Sequence, residues 1–157
     1  MSAKNKLALA VQYPDARLAL SLTRHKIRRW VQAALLGPAE LTIRFVDADE
    51  GRVLNRDYRS RDYATNVLTF AYNEGEEIGA DEPTRADIIL CTDVLEREAG
   101  EQNKTVEEHA AHLIVHGVLH AQGYDHENDD DADEMERFER DILAALGYPD
   151  PYTDTHG

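Results

Sequence analysis

The chain has 157 residues, a length that suits one compact domain with its own hydrophobic core. A single cysteine, Cys91, excludes an intramolecular disulfide and a cysteine-rich zinc site, so we expect a protein of the reducing cytoplasm. The longest apolar runs cover a few residues, which excludes a membrane-spanning helix of about 20 residues, and we expect no signal peptide.

The formal net charge of −14 argues against general nucleic-acid binding, but the charges are distributed unevenly. Residues 1–61 contain 12 basic and 6 acidic residues, a net of +6. Residues 62–157 contain 5 basic and 25 acidic residues, a net of −20. This asymmetry indicates either a partner surface in one half or two faces that differ only in solvation.

In chain order, the first half of the sequence predicts two strands and two helices. Alternating apolar residues indicate strands over residues 7–13 and 41–45. Between them, Ser21 is placed to cap a helix that the Gly37-Pro38 pair ends. The apolar residues of this helix recur at helical spacing and are Ile27, Trp30, Val31, Ala34 and Leu35. Asp47 or Asp49 is placed to cap a short helix that ends near residue 58.

The second half predicts two more strands and two more helices. The strands cover residues 66–71 and 86–91, separated by a polar surface loop. Thr105 and Glu108 form a capping box at the start of a helix that ends at Gly123. The last helix covers residues 131–146, and its predicted inner face is Met135, Phe138, Ile142 and Leu146.

The resulting order, β-α-β-α-β-β-α-α, is typical of an α+β domain in which helices pack on one small sheet. We expect a single domain over residues 1–157, with a small mixed four-stranded sheet and about five helices. One of these helices is expected to be a zincin-like metal-site helix, because five of the seven histidines lie between residues 109 and 126.

The spacing of His116, His120 and His126 predicts a metal site. Histidines four residues apart lie on one helix face and can both reach a metal at about 2.0–2.1 Å. A third ligand requires the chain to turn back, and Gly123 permits that turn toward His126. The spacing H-x3-H-x5-H with this glycine is that of the metzincin proteases. Three nitrogen ligands leave a position open for water, as in catalytic sites, so we expect one Zn²⁺ per chain.

Several alternatives remain open at this site. The histidine helix could simply face solvent, His112 could be a further ligand, and His109 and His112 could support the site or face water. Asp125 could orient a ligand histidine or only satisfy its own backbone in a turn. The proteases have a general-base glutamate after the first histidine, where this chain has Gly117, and this difference disfavours peptidase activity. A small residue there indicates close packing by another element.

The segment HGVLHAQGYDH at residues 116–126 resembles the HGxLHxxGYDH signature of the YbeY family, bacterial endoribonucleases of rRNA maturation. The similarity extends to YRSRDYATNVLTF at residues 58–70, to ADI at 86–88 and to LGYPDPY at 146–152, and covers roughly residues 40–152. The departures from the family pattern at Ala64, Thr69 and Ala86 involve no metal ligand.

The resemblance implies zinc at His116, His120 and His126 and a catalytic arginine at Arg59. It also implies single-strand-specific endoribonuclease activity in small-subunit rRNA 3′-end processing and ribosome quality control. RNA, the ribosome and ribosomal or ribosome-assembly proteins are the implied partners.

Arg59 also suits this chemistry because a guanidinium matches the charge that builds on phosphate oxygens, and Arg56 and Arg61 would extend the patch. Alternatively, Arg59 is an exposed arginine at a helix end. The acidic residues 127–136 could repel RNA or contact a protein, or form a solvated helix start. Two further functions stay open, a metzincin-like metallopeptidase and a ribosome-associated factor with a structural zinc.

Overall fold

The computed structural model describes residues 6–59, 67–71, 83–123 and 129–151, except for the side chains of residues 58, 59, 71 and 129–132. The strands are β1 (Leu7–Gln12), β2 (Ala39–Val46), β3 (Val67–Ala71) and β4 (Thr84–Cys91). The helices are α1 (Arg24–Ala34), α2 (Ala48–Arg59), α3 (Thr92–Glu101), α4 (Val106–Ala121) and α5 (Asp129–Leu146). A short 3-10 turn, Ala16–Leu18, precedes α1.

The four strands form one mixed sheet in the order β1-β2-β4-β3. Strands β1, β2 and β4 are parallel, and β3 pairs antiparallel with β4 at the edge. The fold class is therefore α+β with a small mixed four-stranded sheet, as predicted. None of the helices in the described ranges has the length and apolar character needed to cross a membrane.

Helix α4 lies at the centre of the fold because it packs against β3, β4, α1, α3 and α5. The buried apolar side chains of α4 belong to the larger apolar cluster of the protein, together with Ile88 of β4. The next residue of β4, Ile89, belongs instead to a second, smaller cluster with Val46 and Leu68. Successive side chains of a strand point to opposite faces, so the two clusters lie on the two faces of the sheet. Leu54 of α2 packs on the second cluster. Helices α2 and α4 therefore cover opposite faces.

Two predicted helix starts are confirmed and one is wrong. Thr105 and Glu108 form both bonds of the capping box at 3.0 Å, and Asp47 Oδ1 accepts a bond from the Glu50 amide at 2.9 Å. The cap of α1 is Thr23 and not Ser21, because residues 18–22 form a turn of their own that delays the start of the helix.

Helix α3 is the helix that the sequence pattern did not locate. It follows β4 without a connecting loop, and its N-cap residue, Cys91, makes no side-chain capping bond. The usual signal of a helix start is therefore missing, although Val94, Leu95 and Ala99 are buried on its inner face. The polar loop predicted up to residue 85 ends earlier, since Thr84 and Arg85 belong to β4; residues 72–82 lie outside the described ranges.

Candidate metal centre

Four histidines follow one another along α4, and the exposure of the first three increases toward the C-terminal end of the helix. The side chain of His109 is 4% exposed, that of His112 15% and that of His116 25%. The rings of His112 and His116 lie 6.5 Å apart in an edge-to-face arrangement. His120, the last of the four, is half-buried. The predicted ligands His116 and His120 thus occupy the accessible end of the row.

The predicted end of the helix after His120 is confirmed. Helix α4 ends at Ala121, and Gly123 adopts a φ of +109°, which favours glycine. A Cβ added at Gly123 would meet no atom within 4 Å, so the backbone conformation and not packing requires glycine here. The third predicted ligand, His126, and its neighbour Asp125 lie outside the described residues.

The end of α4 is attached to α1 by Gln122, a residue whose importance the sequence did not indicate. Its Oε1 accepts a bond from the Leu36 amide at 2.8 Å, and its Nε2 donates to the Ala34 carbonyl at 2.9 Å. The second bond satisfies a carbonyl that the end of α1 leaves without an intrahelical partner. They also anchor the helix end beside which His120 lies.

Glu139 of α5 bridges two of the histidines. Its carboxylate is fully buried, with Oε1 2.9 Å from His112 Nε2 and Oε2 3.2 Å from His116 Nδ1. Sequence reasoning missed this residue, although a signal was present: Glu139 continues the row of Met135 and Leu143, both buried, so a charge occupies an apolar face. A buried charge at such a position requires polar partners.

The bridge indicates how His116 would meet a metal. Because His116 directs Nδ1 at Glu139, a metal held by this ring would be bound through Nε2, the arrangement in which a carboxylate orients a ligand histidine. His112 instead directs Nε2 at the carboxylate. The location in the last turns of α4 also suits a cation, since the helix dipole is negative there. His116 and His120 therefore fit a zinc site, and the chemistry of His112 fits a supporting role.

His109 has a separate environment. Its Nε2 lies 2.8 Å from Glu98 Oε1 of α3. Burial lowers the pKa of the His109 imidazole, and the bond and charge of Glu98 oppose that shift in part. This pair connects α3 to α4 at the buried end of the histidine row, so we assign it to the core.

Gly117 follows His116 and faces the sheet. A Cβ at this position would lie 3.1 Å from Ile88 Cγ2 and 3.3 Å from Thr69 Oγ1, a cross-strand pair of β4 and β3. The close packing predicted at Gly117 is confirmed. A general-base glutamate at this position would collide with the sheet, which argues against peptidase chemistry.

The structure describes only some of the remaining residues that the sequence predicts for the site. Arg59 is the last residue of α2, and its side chain, like all of Arg61, lies outside the described part of the chain. Arg56 is exposed on α2. In the acidic segment, Asp133 and Glu134 are exposed near the start of α5, which agrees with a solvated helix start. Within the described ranges, no three His, Cys, Asp or Glu residues are arranged to hold a metal.

The fold defines a small α+β protein whose central helix, α4, carries four histidines and ends just before a glycine of positive φ. A family model described as Endoribonuclease YbeY matches residues 13–147. A protein named Endoribonuclease YbeY from Janthinobacterium sp. (strain Marseille) is 67% identical over 152 residues, which cover 97% of this chain and 98% of its own length. One of the same name from Herminiimonas arsenicoxydans is 64% identical over 153 residues, covering 96% and 98%.

The chain therefore belongs to the endoribonuclease YbeY family and is an enzyme of the hydrolytic nuclease class. The solution structure of TM1509 from Thermotoga maritima aligns over 95% of this chain and 99% of its own, with a TM-score of 0.55. Its sequence identity of 24% means that this likeness speaks for the fold alone.

Proposed function

We propose that this protein is a zinc-dependent, single-strand-specific endoribonuclease that acts in small-subunit rRNA 3′-end maturation and in ribosome quality control. The family assignment supports an RNA substrate. The observation that most supports zinc is the bond between Glu139 and His116 Nδ1, because a carboxylate in this position orients a predicted ligand histidine. We propose the cytoplasm as its location, with ribosomal or ribosome-assembly proteins as partners.

In this proposal, His116, His120 and His126 hold one zinc ion, which when bound supplies Lewis acidity and lowers the pKa of a water ligand. Arg59 binds the scissile phosphate through paired N–H donors and stabilises the charge that develops on its oxygens. Glu139 keeps the His116 ring in one orientation and tautomer. Gln122 holds the end of α4 against α1, so that the ligands remain in register.

The test is cleavage of a labelled single-stranded RNA by the purified chain, as isolated, after chelation and after zinc is restored. A duplex of the same sequence and casein serve as the competing substrates. We expect cleavage of the single strand alone, loss with chelator and recovery with zinc. Cleavage that survives confirmed metal removal would refute zinc dependence, and casein hydrolysis would favour the peptidase.

Arg59 is tested by Arg59→Ala and Arg59→Lys, with Arg97→Ala as the control. Arg97 is a 65% exposed arginine of α3 in an ion pair with Glu101, so its loss should leave cleavage unchanged. Loss of a charge-stabilising donor costs about 2–4 kcal/mol in the transition state, which is a rate lower by roughly 30- to 1000-fold. Lysine should restore only part of the rate, because it cannot make a bidentate contact.

The rRNA substrate is tested in cells. A strain without its own copy of the gene should accumulate small-subunit rRNA with unprocessed 3′ ends. The wild-type chain should restore mature ends, and Arg59→Ala should not. Mature ends with Arg59→Ala, at wild-type protein level, would remove Arg59 from the proposed mechanism. RNA binding and normal maturation without any cleavage in vitro would favour a ribosome-associated factor with a structural zinc.

A further inference from the structure

The carboxylate of Glu139 is the most completely buried charged group among the described residues, and it is placed between two imidazoles of α4. It lies on α5, a different helix, yet both of its oxygens are within hydrogen-bond distance of that histidine row: 2.9 Å to His112 Nε2 and 3.2 Å to His116 Nδ1. A fully buried carboxylate is costly unless it is bonded and compensated, so its presence calls for a functional reason.

We propose that Glu139 is the positioning residue of the metal centre, which fixes His116 in the Nδ1–H tautomer and directs its Nε2 to zinc. This inference rests on the proposed zinc site. In this arrangement Glu139 Oε2 accepts the hydrogen bond, so the proton of His116 lies on Nδ1 and its Nε2 carries the lone pair that a metal requires. A bound dication would in turn help to stabilise the buried negative charge.

His112 completes the arrangement from the other side. Its Nε2 lies 2.9 Å from Oε1 of the same carboxylate, and this second contact restrains rotation of Glu139 while Oε2 faces His116. The edge-to-face contact between the two rings, 6.5 Å between centroids, keeps them in that geometry. His112 is therefore a support of the positioning residue and not a fourth ligand.

The chain provides a matched control for this bond. Glu98 of α3 lies 2.8 Å from His109, which is on α4 like His116, so Glu98→Gln removes a carboxylate charge from a second His–Glu pair, although Glu98 is 25% exposed and Glu139 only 1%. His109 lies two turns before His116 at the buried end of the row, and the proposal gives it no role toward zinc. Glu139→Gln keeps the shape of the side chain and removes the charge and one acceptor.

The experiment measures zinc affinity by competition with a chromophoric chelator, for wild type, Glu139→Gln and Glu98→Gln, together with the visible spectra of the cobalt-substituted proteins. Loss of a carboxylate that orients a ligand histidine typically weakens metal binding about 10- to 100-fold. We expect that loss, and an altered cobalt spectrum, for Glu139→Gln. Glu98→Gln should stay within about twofold of wild type with the same spectrum.

The outcomes separate this inference from the proposed function. A wild-type chain that binds no stoichiometric zinc would overturn both. A wild type that binds zinc, with Glu139→Gln binding equally well and giving the same spectrum, would overturn the positioning role alone. Equal weakening by both variants would also overturn it, because any lost His–Glu pair would then have the same effect.

If Glu139→Gln does not fold, a measurement on the wild-type chain tests the positioning role of Glu139. Long-range ¹H–¹⁵N correlation spectra of the imidazoles report which ring nitrogen carries the proton. We expect a hydrogen-bonded proton on Nδ1 of His116 and zinc on its Nε2. A proton on Nε2, or zinc on Nδ1, would overturn the proposal.

Discussion

The contact between Gly117 and the sheet gives a sharp prediction about what keeps the histidine helix in place. Replacing Gly117 with alanine adds a methyl group 3.1 Å from Ile88 Cγ2 and 3.3 Å from Thr69 Oγ1. Such overpacking in a core costs about 1–3 kcal/mol. Alanine in place of glycine in a helix recovers about 1 kcal/mol through its higher propensity. We therefore expect Gly117→Ala to lower the free energy of unfolding by about 0–2 kcal/mol.

Gly100 in α3 isolates the steric part of this effect. It is exposed, and a Cβ there would meet no atom within 4 Å, so Gly100→Ala should stabilise the protein by up to about 1 kcal/mol. The two variants should then differ by about 1–3 kcal/mol in urea unfolding. Each kcal/mol corresponds to roughly 2–4 °C in Tm for a chain of this size. If Gly117→Ala stabilises the protein as much as Gly100→Ala, the argument that the sheet excludes a side chain beside His116 is wrong.

Three further predictions concern zinc, acid stability and the helix end. Elemental analysis should show one zinc per chain in the wild type and none in His120→Ala, and full zinc in the variant would contradict the ligand assignment. The wild type at free zinc 100- to 1000-fold above Kd should be about 3–4 kcal/mol more stable than the chelated protein. Hydrogen bonds from Thr92, then from Arg17, lower the pKa of Asp15, so its stabilisation is present at neutral pH and lost as pH falls through the folded-state pKa. Asp15→Asn should therefore destabilise the protein at pH 7. It should also reduce the loss of stability below about pH 4, the ordinary pKa range of Asp. An unchanged pH profile of unfolding would refute this. Gln122→Ala should cost about 1–2 kcal/mol in unfolding at unchanged zinc stoichiometry, and an unaltered midpoint would show that its bonds to α1 contribute nothing.

The features of this protein that could be predicted from the sequence are those decided by near neighbours in the chain. The capping box of Thr105 and Glu108 and the turn at Gly123 each depend on a few consecutive residues. The common face of His116 and His120 follows from the 3.6-residue period of the helix. The same reasoning could not locate the start of α3, because its N-cap residue, Cys91, makes no capping bond.

Tertiary structure decided what surrounds the histidines. Glu139 meets His112 and His116 from 27 and 23 positions away in the chain, and Gln122 reaches Leu36 across 86. These pairings depend on how α5 and α1 pack against α4, which no local pattern encodes. A glutamate on an apolar helix face is a sign of a buried charge, but only packing determines which groups bond to it. The sequence by itself therefore determined the candidate ligands, whereas the tertiary structure decided which residues orient and support them.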